Sequence, residues 1–390
     1  MHKLNLIFFS HPPFLCSQSM PRFARMLSEG MQHRGHTVEV WAPRPVFYKL
    51  PITGGIKKWL GYIDQFLLFP IRVSYRLRKC SPDTLFIFTD HALGPWVPLV
   101  VKRPHVIHCH DFLAQQSALG TIRENRTSYT GRLYQSFIFK GYSKGKNFIS
   151  VSKKTRQDLH QLLRSVPTTS AVVYNGMNQT FSKIDAGNAR RELGDKFQIN
   201  LSNGFLLHVG GNQWYKNRKG VIKLYDAWRK MSKVSLPLLL IGEAPDAVLI
   251  DIYERSQFKN EIYFLSGVED YFVRMAYAGA TVFVFPSFAE GFGWPIAEAM
   301  VSGCPVITTG EAPMTEVGKD IAFYIPRYSD ADELLWASEG AIVIEKVVNL
   351  PERDRDIIVS SGIEHCKSFD YSSSIQKIEQ VYLRVISSQQ

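Results

Sequence analysis

Two carboxylates, Glu290 and Glu298, stand with seven residues between them in the stretch Thr281 to Thr309, TVFVFPSFAEGFGWPIAEAMVSGCPVITT. A β-branched and aromatic run, Thr281 to Phe285, stops at Pro286, and a polar, glycine-containing turn follows from Ser287 to Gly293. Pro295 marks a helix start, where its missing N–H costs nothing. The helix is expected over Ile296 to Val301, before Ser302-Gly303, and Pro305-Val306-Ile307 opens another strand. On this spacing Glu290 lies on a loop at a strand C-terminus and Glu298 within the first turn of the helix. Open α/β sheets bind ligands at such ends. Carboxylates beside the free N–H groups of a helix start suit a hydroxyl-rich ligand, and the N–H groups themselves suit an anionic one. The bland account is also open: Glu near a helix start is a common dipole partner, and Gly291-Phe292-Gly293 would then be only a tight turn. A second candidate is His110. The run His105 to His108 reads as a strand ending in Cys109-His110-Asp111-Phe112, which puts a His-Asp pair at a strand C-terminus. A lone histidine there is more often structural, yet the following loop is what a site would have.

The elements that must position these residues alternate throughout the chain. Leu4 to Ser10 is a buried strand, a helix begins near Pro21, and Gly35 ends it before a second strand, Thr37 to Ala42. Phe23, Met26, Leu27 and Met31 keep helical spacing. This is a Rossmann-like opening without the G-x-G-x-x-G of dinucleotide sites. Further strands are expected at Thr84 to Thr89 (ending in Asp90-His91), Asn147 to Val151 and Val172 to Tyr174, with a helix from the cap Ser152. Asn175-Gly176 marks a turn and the end of a first domain, 1–178. The polar segment 179–199 reads as a linker with a short helix. A second α/β domain, 200–371, holds strands at Phe205 to Val209, Leu238 to Ile241, Ile262 to Leu265 and Ala322 to Ile325. Its first helix, Val221 to Met231, follows the turn GGNQWYKNRKG. A last helix is expected from Ser372 to Val385.

Length and charge support two domains of different character. The 390 residues exceed one ordinary core. Residues 1–200 carry 28 Lys and Arg against 11 Asp and Glu, whereas residues 201–390 carry 18 against 24. A basic half suits nucleic acid, an anionic membrane surface or a phosphorylated acceptor. The five cysteines (Cys16, Cys80, Cys109, Cys304, Cys366) are odd in number and scattered. They argue against a disulfide framework or a zinc site and for a reducing compartment. No metal is expected, although Cys109 lies between two histidines. The expected location is cytoplasmic, with no membrane span. Segment 44–80 holds eight basic residues, one acid (Asp64) and interleaved aromatics such as Trp59 and Tyr62. It fits either a surface helix whose arginine stems cover a core face or an amphipathic helix lying on an anionic membrane.

The string PSFAEGFGWPIAEAMVSGCPVI resembles the signature of retaining GT-B glycosyltransferases, in particular glycosyltransferase family 4. FISVSKKTRQDL and VVYNGMN extend the resemblance more weakly into the first half. The resemblance implies two Rossmann-like domains facing across a cleft, an N-terminal one for the acceptor and a C-terminal one for a nucleotide-sugar donor. It also implies a terminal helix, 372–390, that rejoins the first domain. No cofactor is implied, because the nucleotide sugar is a substrate. The acceptor is expected to be a glycan or lipid-linked, as in cell-surface polysaccharide assembly, with no nucleic-acid partner.

Site roles follow from the same resemblance. In VGGNQWYKN, Lys216 matches the diphosphate-binding lysine, but Gly211 stands where many members have an arginine. Arg218 and Lys219 are near enough to substitute, or else form a solvated basic turn. Glu298 matches the ribose-binding carboxylate. Glu290 and the N–H groups of Gly291, Phe292 and Gly293 match the contacts to the transferred sugar. The backbone around Val268 matches the base-holding segment, and His110 the histidine that positions the donor sugar and supports its transition state. Glu290 is expected to stabilise positive charge developing on the sugar, so His110 and Glu290 carry the catalytic expectation. Ser17-Gln18-Ser19 replaces the family's first-loop glycines. Asp354-Arg355-Asp356 spells a metal-binding D-x-D but lies in a charged helical stretch, so it reads as a solvated face. The alternatives are a GT-B epimerase or phosphorylase, or a non-catalytic sugar-nucleotide scaffold.

Overall fold

The computed structural model describes residues 3–15, 19–177 and 181–388. The chain separates into two compact units: Met1–Asn175 with Ser372–Gln390, and Gly176–Tyr371.

The first unit is built on a parallel sheet of order β2-β1-β3-β4-β5-β6. Its strands are β1 (Asn5–Phe9), β2 (Thr37–Trp41), β3 (Leu85–Phe88), β4 (His105–Cys109), β5 (Asn147–Ser150) and β6 (Thr169–Val172). Every residue of β3, β4 and β5 is buried, as expected where helices cover both faces of a parallel sheet. The last strand falls earlier than the expected Val172 to Tyr174. Its register is fixed by β5, with Thr169 opposite Asn147 and Val172 opposite Ser150. The order reverses direction between β1 and β3, so the unit's ligand-binding position lies at the C-terminal ends of those strands.

Segment 44–80 forms helices Gly55–Ile63 and Phe69–Leu77 joined by a π turn, Asp64–Leu68. Pro70, which has no N–H to offer the preceding turn, follows directly. The buried Asp64 carboxylate accepts the backbone N–H groups of Val46, Phe47 and Tyr48 at 2.9 to 3.0 Å.

The terminal helix, Tyr371–Ser387, is an integral part of this unit. The Glu379 carboxylate accepts from Arg34 and, at 2.7 Å, from Nε2 of His36. His36 Nδ1 in turn accepts the Leu4 N–H. The Tyr382 hydroxyl donates to His108 Nε2 at 2.8 Å, and burial pushes His108 down to about 3, so this imidazole is neutral.

The second unit has the order β12-β11-β10-β7-β8-β9. Its strands are β7 (Leu206–Val209), β8 (Leu238–Gly242), β9 (Ile262–Ser266), β10 (Val282–Phe285), β11 (Val306–Thr309) and β12 (Phe323–Ile325). The reversal lies between β7 and β10, and both sheets are therefore doubly wound and Rossmann-like, the pairing of the GT-B architecture. The short helix expected in the polar segment is present. Helix Ala186–Phe197 buries Ala189 and Leu193 within this unit, and Arg190 Nε donates to the Gly279 carbonyl at 2.8 Å. A helix absent from the sequence reading, Ala247–Arg255, is capped by Asp246, whose side chain accepts the Leu249 N–H. The four described cysteines, Cys80, Cys109, Cys304 and Cys366, are free thiols.

Glu379→Ala leaves the buried His36 and the Arg34 guanidinium without their acceptor, and we expect a loss of about 3 kcal/mol in urea unfolding at neutral pH. Burial alone would raise the Glu379 carboxyl, but Arg34 and His36 hold it below the usual range. Its contribution is therefore present above the ordinary carboxylate pKa and lost as pH falls through the lowered one. The stability gap between wild type and Glu379→Gln should close below about pH 4.

Candidate active site

In the second unit, β7 and β10 bring two loops together. Beyond Val209 the chain passes Gly210-Gly211 into a short 3₁₀ turn, Trp214–Lys216, then Asn217 in the left-handed region at φ 51°. The Asn217 side chain accepts the Gly220 N–H and opens the helix Arg218–Met231. Its Nδ2 also donates to the Pro286 carbonyl at 3.0 Å, and Phe288 N donates to Tyr215 O at 2.8 Å. Those two bonds fasten the loop after β7 to the loop after β10. The result joins residues 74 apart in sequence: Lys216 Nζ lies 2.9 Å from Glu290 Oε1 and 3.2 Å from Oε2. Their side chains are only 14% and 8% exposed, so the pair is largely shielded from water. The ammonium also sits 5.0 Å from the Phe285 ring centre, a cation–π distance.

Gly293, at φ 100°, turns the loop into helix Trp294–Val301. Phe292 is buried with its ring edge-on to Phe369, so this side chain anchors the loop while the glycines leave its backbone approachable. Because the helix starts at Trp294, Glu298 is its fifth residue and stands one turn in, not in the first turn as expected. The Tyr277 hydroxyl donates to Glu298 Oε2 at 3.1 Å. Burial, and then the Glu298 charge, hold the Tyr277 phenol well above its ordinary pKa, so it remains a donor.

An open groove of about 520 Å³ runs along the ends of β7, β8 and β9, lined in part by Gly210, Gly211, Gly242, Glu243 and Gly267. A Cβ on Gly242 would stand 2.0 Å from the Gly210 carbonyl oxygen, so these strand ends can approach this closely only with glycine. Val268 is half-buried directly beyond the groove residue Gly267. Glu243 went unnoticed in the sequence. It caps the groove by accepting the Asn212 N–H at 3.0 Å, and the only signal was an acid following a strand-end glycine.

Arg218 is not the solvated turn residue that the sequence also allowed. It is buried, and its Nη1 donates to the side chain of Asn212 and, at 2.8 Å, to the Glu243 carbonyl. Nε and Nη2 are shielded from solvent and make no hydrogen bond among the described residues. Arg218 thus braces the groove rim through Asn212 and Glu243 and is not a solvated basic turn. Lys219 is partly exposed, 3.6 Å from Asp330, as a solvated residue should be. Asp354 and Asp356 lie exposed on helix Glu352–Cys366.

In the first unit His110 ends β4, buried, with its ring edge-on to Phe23 at 4.5 Å. Nε2–H donates to the Thr89 carbonyl at 2.9 Å, which leaves Nδ1 with the lone pair. Burial lowers its pKa against the opposing effect of Asp90, so the ring is a neutral acceptor of hydrogen bonds. The motif containing Ser152 supports it: Ser152 caps helix Lys153–Leu162, and Thr155 Oγ1 donates to the His110 carbonyl at 3.1 Å. Beside His110 lies a group the sequence only hinted at through Asp90-His91: Asp90 accepts from His11 Nε2 at 2.9 Å. Ser17 and Gln18 fall outside the described residues. The structure thus gathers Lys216, Glu290 and the Gly291–Gly293 backbone at one sheet edge, while His110 stands at the corresponding edge of the other sheet.

Residues 204–339 match the family model described as glycosyl transferases group 1, and residues 20–181 match that of glycosyltransferase family 4. The chain is 30% identical over 172 residues to O-antigen chain mannosyltransferase B of Escherichia coli, covering 44% of this chain and 43% of that protein. It is 25% identical over 227 residues to the O-antigen chain mannosyltransferase RfbU of Salmonella typhimurium, covering 58% of each. Each match therefore spans less than two thirds of the relative. Among solved structures, sucrose-phosphate synthase from Thermosynechococcus elongatus superposes with a TM-score of 0.75, at 14% identity, over 99% of this chain and 100% of that one.

Arg218→Lys keeps the charge but lacks the fork needed to hold the Asn212 side chain and the Glu243 carbonyl together. We expect weaker binding of nucleoside diphosphate by about tenfold in calorimetry, from a loosened rim. Unchanged affinity would show that the charge alone matters.

Proposed function

Because the chain belongs to the GT-B glycosyltransferases, with group 1 and family 4 domains, we propose that it transfers a mannosyl residue from a nucleotide-linked donor to a glycan or lipid-linked acceptor. The product would enter a cell-surface polysaccharide, and the anomeric configuration would be retained. The sugar is suggested by the two mannosyltransferase relatives. The observation that carries the reading is the shielded Lys216–Glu290 pair at the β7–β10 reversal. Neither charge is comfortable alone at that burial. A bound nucleotide sugar would satisfy both, the diphosphate taking Lys216 and the sugar hydroxyls taking Glu290.

The chemistry then assigns each group a task. The bond from the anomeric carbon to the phosphate oxygen breaks, and its electron pair stays with the departing nucleoside diphosphate. Lys216 offsets that growing charge, helped by the backbone N–H groups near the helix starts at Arg218 and Trp294. Positive charge developing on the sugar ring is stabilised by the Glu290 carboxylate. Glu298, oriented by Tyr277, accepts from the ribose diol, and the backbone at Val268 holds the base. His110 accepts a hydrogen bond from the donor sugar through Nδ1. The acceptor oxygen bonds to the anomeric carbon, and its proton passes to the leaving phosphate. No metal or cofactor is required by these steps.

The first test is nucleotide release from a panel that includes GDP-mannose and UDP-glucose. No binding and no release with any donor would sink the proposal. Lys216→Ala and Glu298→Ala should each weaken nucleoside diphosphate binding by about tenfold or more. His110→Ala should leave that binding intact and lower turnover; the reverse pattern would overturn the role assignment.

We further propose that helices Gly55–Ile63 and Phe69–Leu77 rest on an anionic membrane surface at the cytoplasmic face. No described helix is long and apolar enough to cross a membrane. Trp59, Ile56, Ile71 and Tyr75 are 61 to 66% exposed among Lys57, Lys58 and Arg72. Arg76 behaves differently, its guanidinium 4.2 Å from the Trp41 ring centre, covering the core. Apolar side chains left in water beside like charges suit the boundary of an anionic bilayer. Vesicles with phosphatidylglycerol should co-sediment the protein and neutral ones should not, with Trp59→Ser plus Ile71→Ser cutting the bound fraction severalfold. Equal sedimentation with both lipids would count against it.

A further inference from the structure

At the β1–β3 reversal of the first unit, Thr89 and Asp90 follow β3 and fix an imidazole on each side. Thr89 O receives Nε2–H of His110, at the end of β4. The Asp90 carboxylate receives Nε2 of His11, from the loop after β1, at 2.9 Å. A carboxylate can only accept, so His11 carries a proton on Nε2, and the neutral form of the ring keeps its lone pair on Nδ1. His11 Nδ1 makes no hydrogen bond among the described residues. Asp90 is itself well held. Its Oδ1 accepts the Ala92 N–H at 3.1 Å, and His91 Nδ1 stands 3.0 Å away, close but poorly aligned for a hydrogen bond. Burial would raise the Asp90 carboxyl, but the charge of His91 and the bond from His11 outweigh it, so the group stays ionised. His11 is 19% exposed and Asp90 10%, an open ring on a shielded base. The other titratable groups near Asp90 are His91, Cys109, His110 and Tyr134.

We propose that His11, oriented by Asp90, is a hydroxyl-binding group for the acceptor glycan in the first unit. In their neutral forms the Nδ1 atoms of His11 and His110 are two nitrogen acceptors flanking one strand end, and the neighbouring hydroxyls of a pyranoside supply matching donors. A ligand of carbonyls or phosphates would find no such fit, since the lone pairs would repel it. A mere staple between loops would need the His11–Asp90 contact but not an imidazole that leaves its second nitrogen unused at an open edge. This assignment rests on the glycosyltransferase reading, because that reading makes the ligand of the first unit a sugar.

The test uses the full chain saturated with GDP and saturation-transfer NMR with methyl α-mannoside, methyl α-glucoside and N-acetylglucosamine. At least one sugar should receive magnetisation from wild type, and His11→Ala should weaken its binding by about fivefold, the worth of one neutral hydrogen bond. Asp90→Asn should do likewise, because an amide donor facing Nε2 turns the ring over to the Nδ1–H tautomer. His11→Asn, which keeps an acceptor near the Nδ1 position, should recover part of the loss. GDP affinity should stay within about twofold throughout, and thermal melts identify any variant that has unfolded. If Asp90→Asn does unfold, the two His11 variants decide alone. No transfer to any sugar, or equal transfer in wild type and His11→Ala, overturns the proposal. Loss of GDP and UDP binding in the wild type would instead sink the underlying glycosyltransferase reading.

Discussion

The contact between Lys216 and Glu290 organises the second unit. It spans the two strands between which the sheet reverses, and each partner is held by a loop locked to the other. Asn217 does much of that locking: one side chain starts a helix with its Oδ1 and fastens the opposite loop with its Nδ2. The charges are therefore positioned by backbone geometry before any ligand arrives. A ligand that enters must offer one group negative enough for the lysine and another rich enough in donors for the carboxylate. That requirement selects for a molecule with a phosphate and a polyhydroxyl group side by side.

The first unit solves a different problem with the same architecture. Its corresponding edge has no cation within the cluster around Asp90 except through imidazoles, and the strand end Thr89-Asp90 orients those rings. One edge is thus built from full charges in partial shelter, the other from imidazole rings that Thr89 and Asp90 orient. Full charge suits a leaving group that becomes more negative as a bond breaks. Neutral acceptors suit hydroxyls, which bind weakly and must be exchanged often.

Much of this was legible in the sequence because strand, loop and helix leave local marks. Glu290, Gly291–Gly293 and Glu298 sit inside one strand-loop-helix unit, and Lys216 follows a glycine turn, so periodicity and punctuation find them. The pairing of Lys216 with Glu290 is a tertiary event across 74 residues, and no local pattern announces it. The same holds for His11 and Asp90, 79 apart. Arg218 was misread because a basic residue in a polar turn looks solvated until the fold closes over it. The short helix expected in the polar segment 179–199 is legible as Ala186–Phe197, although its burial of only Ala189 and Leu193 leaves few apolar marks. Glu298 stands two residues further into the helix than expected because Gly293, through its positive φ, allows the helix to begin before Pro295.

The terminal helix has a consequence for how the chain comes into being. Residues 372–390 belong to the unit whose first strand is made before any of the second unit, and Glu379 ties back to Arg34 and His36. The second unit, by contrast, is one continuous stretch, Gly176–Tyr371. On a ribosome the order of emergence is therefore not the order of completion. The domain begun first must wait, with His36 and the face around His108 uncovered, until nearly two hundred further residues have been added. The later-born domain can close while the earlier one is still missing its last wall.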